Sequence, residues 1–156
     1  EPAVTIIDQL IQLAGSWQAT YRVWMSPEQA PLESPSRAIV SPMVNGKMVC
    51  IEYDWIAEGK LVEGELFIGF ETQSQQVTVV WVDAWHNGER FMVCTGEVRP
   101  DGALSVLGAY PPPYGPDWGW RTVIAPGERS FYLRMYNIPP GGPELLAVEA
   151  IYTSVS

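Results

Sequence analysis

The residues equipped for chemistry are few in this chain. It has one histidine, His86, and two cysteines, Cys50 and Cys94. A zinc site needs about four ligands, or three and a water, and neither cysteine belongs to a Cys-x-x-Cys pair or a Cys/His cluster. Both lie in strand-like runs, Met48-Val49-Cys50-Ile51 and Met92-Val93-Cys94-Thr95, which reads as small buried reduced hydrophobes. His86 sits in Trp85-His86-Asn87-Gly88-Glu89, where Asn-Gly predicts a hairpin turn and an exposed place at a barrel end. No Gly-x-Ser-x-Gly elbow, phosphate-cradling Gly-rich loop or dinucleotide fingerprint occurs. No nucleophilic triad can be assembled around this histidine.

Polar residues embedded in aromatic strands carry more information: Asp83, Arg121, Arg134 and Glu149. The run Val77-Thr78-Val79-Val80-Trp81-Val82-Asp83-Ala84-Trp85 puts Val77, Val79, Trp81, Asp83 and Trp85 on one face and small aliphatics on the other. A carboxylate among tryptophans is costly to bury unless it is paired or hydrogen-bonded. Two non-catalytic roles stay open for it. One is a structural ion pair across the interior, Arg121 or Arg134 with Asp83 or Glu149. The other is a polar anchor for a bound molecule. A carboxylate in an apolar lumen with a raised pKa could also act as a general acid or base, Asp83 or Glu149 with Tyr53 or Tyr110, as in a small isomerase or cyclase. The two-faced apolar strand 77–85 is equally compatible with a homodimer or interaction surface.

Those residues must be positioned by an all-β scaffold. One short helix is expected over 2–14, with Pro2 in its first turn, Val4, Ile7, Leu10, Ile11 and Ala14 on one face, and Gly15 ending it. After Gly15 the period changes to two. Strand-like runs follow at about 15–25, 36–42, 47–57, 61–71, 76–85, 90–99, 103–110, 118–125, 129–138 and 145–154. Turn signals such as Asn45-Gly46, Glu58-Gly59, Asn87-Gly88 and Asp101-Gly102 separate them. A meander of short strands without helical crossovers removes its edges by closing. The sequence therefore predicts a single antiparallel up-and-down β-barrel of about 8–10 strands over 15–155. Three connections are rich in proline: 26–35, 111–117 and 139–143. They read either as plain rigid connections or as a rim over one mouth.

Composition excludes other classes. Eighteen Asp and Glu against nine Lys and Arg give a net charge of −9, which argues against nucleic acid or an anionic membrane as partner. No run of eighteen apolar residues occurs, so no spanning helix is expected. The reduced cysteines suit the cytoplasm, although the chain begins at Glu1 and a removed leader would leave no trace. A barrel of this size holds one small ligand. The expected wall is Trp81, Trp120, Tyr53 and Tyr110, with Asp83 and Arg121 as polar anchor, and the expected occupant is a small, largely apolar molecule bound without metal or haem. In a purely structural barrel, Trp17, Trp81 and Trp120 would fill the lumen instead.

The stretch Leu13-Ala14-Gly15-Ser16-Trp17 resembles the Gly-x-Trp signature of lipocalin-like (calycin) barrels. There the resemblance implies that Trp17 packs at the closed end, under a late-strand cation for which Arg121 or Arg134 is the candidate. Further stretches resemble an uncharacterised bacterial family of lipocalin-like domains of unknown function: 45–53, 64–70, Trp81-Val82-Asp83, Gly96, Trp120-Arg121-Thr122-Val123 and 149–153. This resemblance spans nearly the whole chain and implies the fold, with no activity attached. Haem-binding barrels of the nitrobindin type are similar too, but need a pocket-facing histidine that an exposed His86 would not supply. Fatty-acid and retinoid carriers are also similar.

Overall fold

Period-two alternation becomes a wall with an inner and an outer face. The computed structural model describes residues 4–155. Ten strands make one closed antiparallel sheet: β1 (Gly15–Val23), β2 (Leu32–Met43), β3 (Met48–Ala57), β4 (Lys60–Glu71), β5 (Gln76–Asp83), β6 (Met92–Val98), β7 (Leu104–Tyr110), β8 (Trp118–Pro126), β9 (Ser130–Ile138) and β10 (Leu145–Ser154). Order around the wall follows order in the chain, and β10 closes on β1. Closure leaves no edge strand to pair with another chain. The expected up-and-down barrel is the observed one.

Helix α1 (Ile6–Ile11) is shorter than the expected 2–14. Thr5 caps it: the Asp8 amide donates to Thr5 Oγ1 at 3.2 Å, and the Thr5 amide donates to the Asp8 carboxylate at 2.9 Å. This capping box fixes the helix start at Thr5 and leaves Val4 exposed before it. Pro2 lies outside the described residues. Ile6, Ile7 and Leu10 are buried, while Ala14 on the expected face is exposed. The helix packs against β2, β3 and β4. Among the described residues no helix is long and apolar enough to cross a membrane.

Up-and-down connectivity sorts the loops into two groups. The helix and the connections 44–47, 72–75, 99–103 and 127–129 lie at one end. Loops 24–31, 58–59, 84–91, 111–117 and 139–144 lie at the other. All three proline-rich connections therefore surround the mouth opposite the helix. Glu58-Gly59 forms the expected tight turn, both residues at positive φ (53° and 76°).

Several strand ends at the mouth differ from expectation. β2 starts at Leu32, because its pairing with β1 begins at Val23↔Leu32 and is reinforced by the Arg22–Glu33 ion pair at 2.7 Å. β5 stops at Asp83 rather than 85, and β6 starts at Met92 rather than 90. There Asp83 Oδ1 accepts hydrogen bonds from the backbone amides of Trp85 (2.9 Å) and His86 (2.8 Å). The side chain substitutes for a ladder partner and turns the chain off the sheet. Asn87-Gly88 consequently lies inside the eight-residue loop 84–91 and not in a tight hairpin.

Below the mouth the lumen is filled by a continuous apolar core that includes Leu66, Ile68, Val77, Val79, Ile124, Leu133 and Met135. Both cysteines are buried and free, and burial pushes each thiol up to about 11.

Candidate functional site

Asp83 organises the open end of the barrel. It stands in register with Gly64 on β4, which stands in register with Tyr53 on β3. A Cβ at Gly64 would overlap the Tyr53 ring, so the missing side chain is what lets that ring cross β4. Tyr53 then donates its hydroxyl proton to Asp83 Oδ2 at 2.7 Å, and Trp55 Nε1 donates to the same oxygen at 3.1 Å. The two backbone donors on Oδ1 complete four hydrogen bonds to one carboxylate. A further link runs outward, since Trp81 Nε1 donates to the Tyr53 hydroxyl at 2.8 Å.

This arrangement settles the protonation state of Asp83. Burial acts to raise its pKa, but the imidazole and backbone amide of His86 and the Tyr53 hydroxyl outweigh it, and the carboxyl is held below its ordinary value. The expected raised-pKa acid is therefore not formed. Asp83 is an ionised, fully hydrogen-bonded keystone. Burial drives the hydroxyls of Tyr53 and its stacking neighbour Tyr21 well above the ordinary phenol range, so both stay protonated.

Above this layer lies a cavity of about 570 Å³, open between the loops. Its wall includes Trp81, Trp85, Trp120, Tyr110 and Phe91, with Trp24 and Met25 from the first proline-rich loop. Trp81 and Trp120 stack at 5.2 Å and 13°, and Tyr110 meets Trp120 edge-on at 6.3 Å. The Tyr110 hydroxyl donates to Asn137 Oδ1 at 2.6 Å. Trp120 Nε1 is buried without a hydrogen-bond partner among the described residues.

His86 is not exposed at a hairpin. Its side chain is only 10% accessible and lines the cavity. Its ring lies 4.8 Å from Trp85, 5.4 Å from Trp55, 5.4 Å from Trp81 and 5.6 Å from Trp120, between ring centroids. Nδ1 is 3.3 Å from Asp83 Oδ1, an electrostatic contact without good hydrogen-bond alignment. The cause is the turn made by Asp83, which draws the following residues back over the mouth. The ground for setting a pocket histidine aside is thus removed. Among the described residues no three His, Cys, Asp or Glu side chains gather as metal ligands.

The structure divides the expected site residues. Trp81, Trp120 and Tyr110 share the cavity wall, and Asp83 and Tyr53 lie sealed directly beneath it. Arg121 belongs elsewhere: alternation turns Trp120 inward and Arg121 outward, where Arg121 donates to Glu144 (2.8 Å) and to Ser105 Oγ (2.8 Å). It cannot anchor a ligand in the lumen. Arg134 and Glu149 do pair, at 2.9 Å, but on the partly exposed outer wall between β9 and β10, joined by Arg22 at 3.5 Å. Neither reaches Asp83, and Glu149 is no lumen acid. Trp17 packs at the closed end as the resemblance implies, its Nε1 donating to Leu13 O at 2.7 Å and its ring edge-on to Phe131. With Arg121 and Arg134 on the outer wall, neither cation covers it. Sequence reasoning missed His86, Arg90, Phe91 and Asn137 as lining residues. The one available signal was an aspartate placed to turn the chain three residues before the only histidine.

A family model described as a protein of unknown function (DUF1579) matches residues 8–154. No curated protein was found to match the sequence. Among solved structures, the crystal structure of Rv2717c from M. tuberculosis aligns with a TM-score of 0.60 over 97% of this chain and 98% of its own, at 14% identity. That likeness is one of fold.

Proposed function

We propose that this chain, which belongs to the DUF1579 family of proteins of unknown function, binds a small, flat, largely apolar molecule in the open mouth of its barrel. The observation that carries this reading is the aromatic-walled cavity of about 570 Å³. That volume falls within the roughly 300–1,000 Å³ of small-molecule sites, and stacked indoles present flat apolar area at little entropic cost. The layer under the cavity supports the same reading. Asp83, Tyr53, Trp55 and Trp81 satisfy one another, so the floor is rigid before any ligand arrives, and preorganisation lowers the cost of binding. The proline-rich loops add stiffness at the rim. Exposed Met25 and Phe91 leave apolar surface at the entrance. Acid–base chemistry by Asp83 finds no support, since its carboxylate is ionised and all its oxygens are engaged.

The test is a titration with 4-nitroanisole, a flat neutral quencher of indole fluorescence. Saturable quenching is expected, and it should be lost in Ala147→Phe, which fills a lining position. Quenching that stays linear with concentration, and is equal in the variant, would contradict the reading. Native against denaturing mass spectra of the protein as purified would show in addition whether a molecule of a few hundred daltons, the drug-size scale, is already held.

A further inference from the structure

The cavity wall has a charge pattern opposite to that of the protein. The chain carries eighteen acidic and nine basic residues, yet among the described residues no Asp or Glu lines the cavity, while Arg90 and His86 do. Arg90 forms no ion pair with any described residue. Asp83, directly beneath the cavity, is sealed with both oxygens taken up by donors. An aromatic wall alone would also suit a cation, but a cation here would meet Arg90 and find no facing carboxylate.

His86 sharpens the choice. Nδ1 faces the Asp83 carboxylate, which a lone pair would not tolerate at 3.3 Å, so Nδ1 carries the proton. Nε2, on the other edge of a ring that lines the cavity, is engaged by no group of the described residues. In the neutral imidazole Nε2 is an acceptor, and in the imidazolium it is a donor. A ligand group that pairs with it in either state must be able both to donate and to accept a hydrogen bond. Hydroxyls of aromatic rings do so, and the ring that carries them suits the Trp81–Trp120 wall.

We infer that the occupant is an acidic aromatic hydroxyl compound, a phenol, whose ring lies in the tryptophan-lined cavity and whose oxygen is bound to His86 Nε2, with Arg90 at the mouth favouring its ionised form. This rests on the cavity being a binding site and names the class of molecule it takes.

The comparison of 4-nitrophenol with 4-nitroanisole isolates the hydroxyl, since the two differ only by its methylation. The phenol should bind roughly tenfold tighter, the effect of one hydrogen bond to a charged or polarised partner. His86→Phe keeps a ring and removes Nε2, so the ratio of the two affinities should fall towards one. If that variant does not melt cooperatively, the wild-type protein still decides the question. It has a single histidine, and the Nε2 nitrogen resonance should move on adding 4-nitrophenol and hold still on adding 4-nitroanisole. Equal affinities with an unmoved Nε2 would overturn the phenol assignment and leave the binding site standing. Failure of both compounds to bind would overturn the site as well. Tighter binding of phenyltrimethylammonium than of 4-nitrophenol would assign the cavity to cations.

Discussion

Asp83→Asn tests the keystone directly. The substitution keeps the shape of the side chain, so no cavity forms. It replaces one acceptor oxygen by an NH₂ group that must face donors already in place. Four donors converge on the carboxylate: Tyr53 and Trp55 on one oxygen, the Trp85 and His86 amides on the other. An asparagine serves one of these pairs and leaves the other two donors buried and unsatisfied. At about 1–3 kcal/mol for each orphaned group, the loss is about 2–6 kcal/mol. A domain of this size has about 5–15 kcal/mol of stability in all and loses about 2–4 °C of melting temperature per kcal/mol. The variant should therefore melt roughly 5–20 °C below the wild type at neutral pH, with a matching shift in the urea midpoint. Acid should narrow the gap. The Asp83 pKa is depressed by folding, so its contribution is complete above the unfolded value of about 4 and disappears as pH falls through the lower folded value. A variant melting within about 2 °C of the wild type at pH 7 would refute the keystone argument. Combining it with Tyr53→Phe should cost less than the two changes summed, because both break the same bond.

Gly64→Ala should push the Tyr53 ring away from Asp83 and destabilise the barrel by about 1–3 kcal/mol, measured by urea unfolding. Arg121→Ala should leave the 4-nitroanisole titration unchanged and cost less than about 1 kcal/mol, since its pair with Glu144 is partly exposed on the outer wall. Neither Cys50 nor Cys94 should react with 5,5′-dithiobis(2-nitrobenzoate) in the folded protein at pH 8, where burial keeps both thiols protonated; two should react in denaturant. Fast reaction of either without denaturant would show that its strand opens.

The scaffold was readable because its information is local. Alternation marked the strands, and Glu58-Gly59 and the proline-rich segments marked turns and mouth. The Trp81 and Trp120 faces followed from the same period. Two things were not local. Asp83 acts by bonding to Tyr53 thirty residues earlier, through the gap at Gly64, and no spacing rule joins those three positions. Its second effect, turning residues 84–91 back over the lumen, moved His86 from an expected exposed hairpin into the aromatic wall. Arg121 was misplaced for a simpler reason. It neighbours Trp120, and adjacent residues in a strand point to opposite faces. Taking both as ligand contacts set aside the alternation that identified the strand.

The most direct test of the binding site uses the seven indole N–H resonances of the native protein in a proton–nitrogen correlation spectrum, titrated with 4-nitrophenol. The signals of Trp81, Trp85 and Trp120 at the mouth should shift together and saturate. That of Trp17, bonded to Leu13 O at the closed end, should not move. Saturation of the Trp17 signal with the mouth signals unmoved, or no saturable shift in any of the seven, would contradict the account.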